Sequence, residues 1–222
     1  MTAFRAMLAK DLRVELRTME SVPAMALFAV TTFIVFRYGL DRQSLAGSLA
    51  AGVLLATVLF AAILAINRLF VAERDEGGFD AFRLAPADPT SLLAAKAAAI
   101  VIYLLALELI AVPVFAAFFL DSASGLPAIA AVLALADVGL AVTGALISSM
   151  AANSRSRDIL VPLLLLPLSI PLVVAAAKAS ALALAAGGPS YGGFGKWLVV
   201  LALYDMTFAA IGYGVFEYVI ED

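Results

Sequence analysis

The chain has 222 residues, of which 64% are hydrophobic and 14% are charged, and its mean hydropathy is +1.07. Soluble domains are about 45–50% apolar and about 25% charged, so this composition excludes a water-soluble globular protein. The absence of Cys and His excludes disulfides, thiolate nucleophiles, Cys/His zinc sites and histidine acid–base chemistry. The formal net charge is −3, and no basic run indicates a nucleic-acid partner.

A basic amphipathic segment comes first in the chain. Residues 4–20 repeat apolar side chains at helical spacing, with lysine and arginine side chains on the opposite side. Asp11 and Glu15 fall within the apolar arc, so they either pair with arginines one turn away or mark a face that docks on protein. Because helices of this kind commonly lie flat on the cytoplasmic leaflet, we predict an interfacial helix.

Six apolar runs follow, each long enough to cross a hydrocarbon core of about 30 Å. In such a core only helices and closed barrels satisfy the backbone, so the predicted class is all-α, with six transmembrane helices in a single domain over residues 1–222. The predicted spans cover residues 22–40, 45–66, 92–120, 126–152, 159–177 and 197–220.

The fifth span and the segment after it carry their own predictions. Pro162, Pro167 and Pro171 each remove a backbone donor, so this helix is expected to bend or break near them. Residues 178–196 begin with an Ala/Leu stretch that is too short to cross and too apolar for a solvated loop. That stretch predicts a short re-entrant or interfacial helix between spans five and six.

The distribution of Lys and Arg predicts the orientation of the chain. With the N-terminus in the cytoplasm, ten of the 14 basic residues lie inside and four lie outside, so both termini are expected in the cytoplasm. The inner set is Arg5, Lys10, Arg13, Arg17, Arg68, Arg74, Arg83, Lys96, Arg155 and Arg157, and the outer set is Arg37, Arg42, Lys178 and Lys196.

The segment between the second and third spans, residues 67–91, is the most informative polar stretch of the sequence. Phe79 and Phe82 stand three residues apart among charged side chains, after a Gly-Gly pair. Aromatic anchors in a charged frame are typical of a docking surface. The alternative is a solvated loop whose aromatic side chains pack under the helix bundle, and composition leaves both open.

Three acidic residues, Glu108, Asp137 and Asp205, lie within apolar runs. A charge at the bilayer centre costs roughly 2.5–3.5 kcal/mol on insertion scales, so these side chains are expected to face protein or water. A polar lining or a switch at a dimer interface is favoured for Glu108, and hydrogen bonding to Ser or Thr of neighbouring helices for Asp137. Gly139 and Gly144 predict close helix packing around the fourth span.

Three stretches together carry a family resemblance. Residues 67–89 contain Arg-Leu-Phe, Asp-Glu-Gly-Gly and Leu-Ala-Pro, and residues 153–171 join a basic loop to a proline-rich span. Tyr204-Asp205 lies in the last span, before Phe216-Glu217-Tyr218 and an acidic end. In this order they resemble the CcmB family, the membrane subunit of the haem-exporter ABC complex of cytochrome c maturation, over essentially the whole chain.

The resemblance implies an ABC-2-type exporter fold and a dimeric permease in the bacterial cytoplasmic (inner) membrane. It also implies an ATPase subunit similar to CcmA that docks on residues 67–91, which we therefore call the coupling segment. Haem-handling partners similar to CcmC and CcmD are implied as well. The residues then expected to couple to the ATPase are Arg68, Arg74, Glu76, Phe79, Phe82 and Arg83.

The chain is not expected to be an enzyme itself or to hold a cofactor. Gly195-Lys196 is followed by Trp197 rather than Ser or Thr, so it is not a phosphate-binding loop and ATP would bind the partner subunit. Without His or Cys the commonest haem ligands are missing, and no metal site is predicted. Two alternatives remain: a permease of the same type for another substrate, and a proton-coupled secondary transporter that uses the three acids as relays.

Overall fold

The computed structural model describes residues 3–39, 45–75, 88–151, 157–185 and 189–221 of the chain. Within these ranges the protein forms seven helices and no strand. The helices are α1 (Ala3–Thr18), α2 (Ser21–Gly39), α3 (Gly47–Asp75), α4 (Pro89–Phe119), α5 (Leu126–Ala151), α6 (Arg157–Ala183) and α7 (Phe194–Glu221).

Helices α2 to α7 have the length and composition of membrane spans. In the described part of the chain each carries an apolar segment of between 19 and 30 residues, which is enough to cross a bilayer. The protein is therefore a multi-pass membrane protein with six spans, and the predicted all-helical class is confirmed. The helix α1, which precedes the spans, packs against α4.

The fourth span, α5, is the central helix of the bundle, because it packs against α3, α4, α6 and α7 and most of its side chains are buried. Two glycines allow these close approaches. A Cβ atom at Gly139 would collide with Leu172 of α6 and with Asp205 of α7, and a Cβ atom at Gly144 would collide with Ile66 of α3. The predicted close packing of this span through small residues is confirmed.

Backbone hydrogen bonds join the helices at the end of the bundle opposite to the coupling segment. The amide of Leu45 donates to the carbonyl of Phe119 at 2.9 Å, and the amide of Gly47 donates to the carbonyl of Leu184 at 2.7 Å. Beside them, the rings of Phe33 and Phe119 meet edge to face at 6.1 Å. These contacts fix the ends of α2, α3, α4 and α6 relative to one another.

Helix α6 differs from its prediction in two ways. It runs without a break through Pro162, Pro167 and Pro171, so the predicted break is wrong, while the bend stays a prediction. It also continues to Ala183, so residues from Lys178 onward are its last turns rather than the separate re-entrant helix that we predicted. The physical reason is that Ala and Leu favour helix, so the helix continues from Lys178 to Ala183.

Candidate functional site

The coupling segment begins on the last turns of α3. The half-exposed Arg68 places Nη1 3.7 Å from Oε2 of Glu20, which lies in the turn between α1 and α2. The backbone of Arg74 belongs to the end of α3. The other predicted coupling residues lie outside the described residues: Glu76, Phe79, Phe82 and Arg83. The choice between a docking surface and aromatics packed under the bundle therefore stays open.

The chain leaves the coupling segment through a well-capped helix start. The side chain of Asp88 accepts a hydrogen bond from the amide of Thr90 at 2.9 Å, and Pro89 occupies the first turn of α4. An Asp cap followed by Pro satisfies an amide that would otherwise lack a partner and presets the helical backbone angle. The coupling segment is thus followed directly by a helix that starts at a fixed residue.

A sharp elbow joins α1 to α2. Met19 has a positive φ of 48°, and its amide donates to the carbonyl of Glu15 at 2.7 Å, which closes the end of α1. The carboxylate of Glu15 then accepts hydrogen bonds from the amides of Ser21 at 2.9 Å and Val22 at 2.8 Å. A negative group at the start of a helix is favourable because the amides there lack partners and carry partial positive charge. Glu15 therefore connects the two helices.

The second acid of the apolar arc, Asp11, is buried against α4. Its two carboxylate oxygens each lie 3.0 Å from Nζ of Lys96, and the two residues are only 5% and 1% exposed. The hydroxyl of Tyr103 donates to the backbone carbonyl of Asp11 at 3.1 Å. We call Asp11, Lys96 and Tyr103 the ionic joint. Helix α1 is thus docked on protein through this face, which was the open alternative for the two acids, and its position at the membrane interface stays a prediction.

Both halves of this signal are present in the sequence, but our sequence analysis singled out only Asp11 and counted Lys96 among the cytoplasmic basic residues. An acidic residue inside an apolar arc and a lysine inside an apolar run each need a partner, because lipid solvates neither charge. Lys96 is separated from Asp11 by 85 positions, and nothing in local periodicity pairs them. Leu16 and Met19, at the end of the predicted arc, remain largely exposed, so only part of that arc docks.

Two of the three intramembrane acids meet inside the bundle. The carboxyl groups of Glu108 on α4 and Asp137 on α5 are neighbours there, and we call them the carboxyl pair. Asp137 is 0% exposed, and neither of its oxygens receives a hydrogen bond from an N–H or O–H group in the described part of the chain. A hydrogen bond between two carboxyl groups needs a proton on one of them. The pair can therefore hold a proton between α4 and α5.

The third acid, Asp205 of α7, lies on the other side of α5. Its buried Oδ1 faces Gly139 and has no hydrogen-bond partner among the described residues. The neighbouring Tyr204 hydroxyl donates to the carbonyl of Leu168 at 3.2 Å and bonds to the Thr143 hydroxyl at 3.1 Å. Thr143 is thus engaged by a tyrosine, and Asp137 receives none of the Ser or Thr hydrogen bonds favoured for it by the sequence.

Neither group has the geometry of a metal centre. Over the described ranges, no three His, Cys, Asp or Glu side chains converge closely enough to hold a metal ion. The ionic joint fixes one helix on another, and the carboxyl pair can store a proton in an apolar interior. The described residues can therefore hold helices in place and take up or release a proton.

Comparison with known proteins places the chain in a family. The family model described as CcmB protein matches residues 2–214. The chain is also similar to "Heme exporter protein B" of Bradyrhizobium diazoefficiens, with 27% identity over 211 residues that cover 93% of each protein. The family match includes α1, the coupling segment and almost all of the six spans. The chain therefore belongs to the CcmB protein family.

Proposed function

We propose that this chain is the permease subunit of an ABC transporter complex that serves haem handling in c-type cytochrome biogenesis. A separate ATPase subunit supplies the energy, and this chain carries the movement through the membrane. The observation that carries the proposal is the family match over residues 2–214. The name of the related protein, "Heme exporter protein B", supports haem as the substrate.

The coupling segment is the proposed docking site for the ATPase. It leaves the bundle at the end of α3 and returns at the capped start of α4, so movement of the segment acts on two spans at once. Arg68 lies at its entrance, beside the elbow between α1 and α2. Phe79 and Phe82 are the proposed anchors, since aromatic side chains contribute most to binding when buried in a partner's pocket.

Haem is handled here without strong axial ligands from this chain. The sequence holds no His and no Cys, which are the commonest protein ligands of haem iron. We therefore assign haem ligation to membrane partners similar to CcmC and CcmD, with a second copy of this chain completing the permease. In this arrangement the chain shapes the path or transmits force, and its partners hold the iron.

The proposed setting is the bacterial cytoplasmic membrane, with both termini in the cytoplasm. The ten-to-four distribution of basic residues supports this orientation. The chain has no Cys, so single cysteines can be labelled without background. Ser190→Cys is expected to react with an impermeant thiol reagent on intact spheroplasts, and Thr18→Cys only after permeabilisation. The opposite result would reverse the orientation.

The experiment for the function is co-purification with the ATPase in mild detergent. The double change Phe79→Ala and Phe82→Ala is expected to release the ATPase, because truncating an anchor costs about 2 kcal/mol or more. That cost weakens a contact roughly thirtyfold. The matched control is Phe60→Ala, which removes a half-exposed aromatic side chain from the membrane part of α3 and should leave the ATPase bound.

The possible outcomes of the co-purification lead to different conclusions. Unchanged co-purification of the double variant would remove these aromatics from the coupling role. Loss of the permease itself, seen as a lower yield of folded protein, would favour the alternative in which they pack under the bundle. A wild-type chain that brings down no ATPase at all would contradict the proposed function.

The carboxyl pair favours one other candidate, a proton-coupled transporter. Its buried carboxyl groups can hold a proton between α4 and α5, as a relay requires. A variant of the ATPase partner in which the phosphate-binding lysine is replaced distinguishes these two candidate functions. Cytochrome c maturation is expected to stop with that partner if ATP drives the complex, and to continue if the proton gradient drives it.

A further inference from the structure

The ionic joint is an unusual feature for the start of a membrane span. Lys96 is nearly fully buried inside an apolar helix, and its Nζ is shared between both oxygens of Asp11, which belongs to another element. A buried ion pair often contributes no more to stability than apolar residues of the same size. What it adds is a fixed position, because a buried ammonium and a buried carboxylate are strongly destabilised when they are separated from each other.

The contacts of Asp11 define that alignment at two points. Its carboxylate meets Lys96 and its backbone carbonyl meets Tyr103, and these two partners are seven residues apart on α4. Residues seven apart lie on nearly the same side of a helix, about two turns from each other. Sliding or rotating α1 along α4 would break both contacts, so α1 is held in one register.

Helix α1 is also tied to the other elements around the coupling segment. Glu15 caps the start of α2, and Glu20 in the elbow pairs with Arg68 at the end of α3. The element formed by α1 and the elbow therefore contacts the helix that enters the coupling segment and the helix that leaves it. Its firm contact is with α4, since the pair between Glu20 and Arg68 is exposed and longer, at 3.7 Å.

We propose that Asp11, Lys96 and Tyr103 are positioning residues that make α1 and the first turns of α4 move as one body. This inference rests on the proposed ATPase coupling. When the coupling segment displaces α4, the joint moves α1 with it, and the cap formed by Glu15 then moves α2. An apolar contact alone would let α1 slide on α4, because apolar attraction has no preferred direction. The charge pair is what keeps the register.

The test measures the register directly by spin labelling. The chain has no Cys, so Cys can be introduced at the exposed positions Arg13 on α1 and Ala94 on α4. A second label pair, Arg13 with the exposed Met150 at the end of α5, reports movement of α1 relative to the central helix. Distances are read by electron–electron double resonance in nanodiscs, with and without the ATPase and a non-hydrolysable ATP analogue.

Two variants separate positioning from folding. The double change Asp11→Leu with Lys96→Met removes both charges together, which leaves no unpaired buried charge. Tyr103→Phe removes only the hydroxyl contact to the Asp11 carbonyl and keeps the ring. Both are expected to be produced at the wild-type level and to bind the ATPase.

In the wild-type complex we expect one narrow distance between positions 13 and 94 that does not change when the ATP analogue binds. In the charge-free double variant we expect a broad distribution, and cytochrome c maturation per unit of assembled complex should fall roughly tenfold, within the range of measured coupling effects. Tyr103→Phe should broaden the same distribution by a smaller amount.

Three results would overturn the proposal. The first is a wild-type distance between positions 13 and 94 that changes with nucleotide, and the second is a charge-free variant with a narrow distribution. The third is a charge-free variant with full cytochrome c maturation. A wild-type chain that binds no ATPase would instead contradict the proposed function, and the comparison of distributions on the chain alone in nanodiscs would still decide whether the pair sets the register.

Discussion

Two regions of this protein bury acidic side chains and satisfy them in different ways. In the ionic joint, Asp11 faces the ammonium group of Lys96 and both oxygens are engaged. In the carboxyl pair, Asp137 faces another acid, Glu108, and no described N–H or O–H group donates to it. The joint holds as long as both charges stay in place, whereas two carboxyl groups can bond to each other only when one of them carries a proton.

The difference shows that the partner, more than the acid itself, decides what a buried carboxyl group does. An acid beside a cation ties two helices in one alignment. An acid beside an acid can connect two helices only while one of the carboxyl groups is protonated, and that proton can leave. The joint lies next to the coupling segment, and the carboxyl pair lies deeper, between α4 and the central helix α5. The four changes below test this division between a fixed and a conditional contact.

The largest effect is expected from breaking the ionic joint on one side. Lys96→Met removes the ammonium group that lies 3.0 Å from both oxygens of the buried Asp11, and removing one partner of a buried pair costs about 3–5 kcal/mol. The unfolding temperature in detergent, followed by size-exclusion chromatography after heating, should fall strongly. Asp11→Leu combined with Lys96→Met is the matched control, and it should restore most of the loss. A single variant as stable as wild type would mean that Asp11 is solvated in the membrane-bound protein.

The next effect concerns the packing that surrounds Asp205. Gly139→Ala adds a Cβ atom that would meet Leu172, Tyr204 and Oδ1 of Asp205, and overpacking of this kind costs about 1–3 kcal/mol. Gly52→Ala is the control, because a Cβ atom there meets nothing within 4 Å on the exposed side of α3. It should be neutral or stabilising, since Ala favours helix over Gly. Equal unfolding temperatures for the two variants would contradict the close approach of α5, α6 and α7.

A smaller effect is expected at the elbow beside the ionic joint. Glu15→Ala removes the acceptor for the amides of Ser21 and Val22, and loss of a helix cap costs about 0.5–2 kcal/mol. The unfolding temperature in detergent is again the measurement. Glu20→Ala removes an acid of the same type five positions further on, but it is exposed and should change stability by no more than about 0.5 kcal/mol. A reversed order of the two losses would show that Glu15 does not cap α2.

The smallest effect is expected in the carboxyl pair. Asp137→Asn replaces a carboxyl group by an amide of the same shape whose N–H can donate to Glu108 without an added proton. We expect stability to stay within about 1 kcal/mol of wild type, the usual net contribution of a hydrogen bond. Asp137→Leu offers no donor and should be clearly less stable. If the amide variant were as unstable as the leucine variant, Asp137 and Glu108 would not face each other.

Much of the architecture could be read from the sequence because it depends on local composition. Runs of apolar residues longer than a bilayer core predict six spans, and the structure has six helices of that kind in its described part. Gly139 and Gly144 on the fourth span predict close packing, and both meet neighbouring helices. The predicted end of the fifth span at residue 177 was wrong. The residues after Lys178 favour helix, so α6 continues to Ala183 where a separate short helix was expected.

Only the tertiary structure decided which polar groups meet. In the sequence, Asp11, Lys96, Glu108 and Asp137 each lie among apolar residues. Lipid does not solvate a charge, so each of them needs a partner. The sequence does not say that Lys96 reaches Asp11 across 85 positions or that Glu108 and Asp137 face each other. Helical periodicity fixes the neighbours of a residue within about one turn, whereas contacts between helices depend on how the whole bundle packs. The sequence alone thus determined that this chain spans the membrane six times, and packing decided which buried acid meets a cation and which meets another acid.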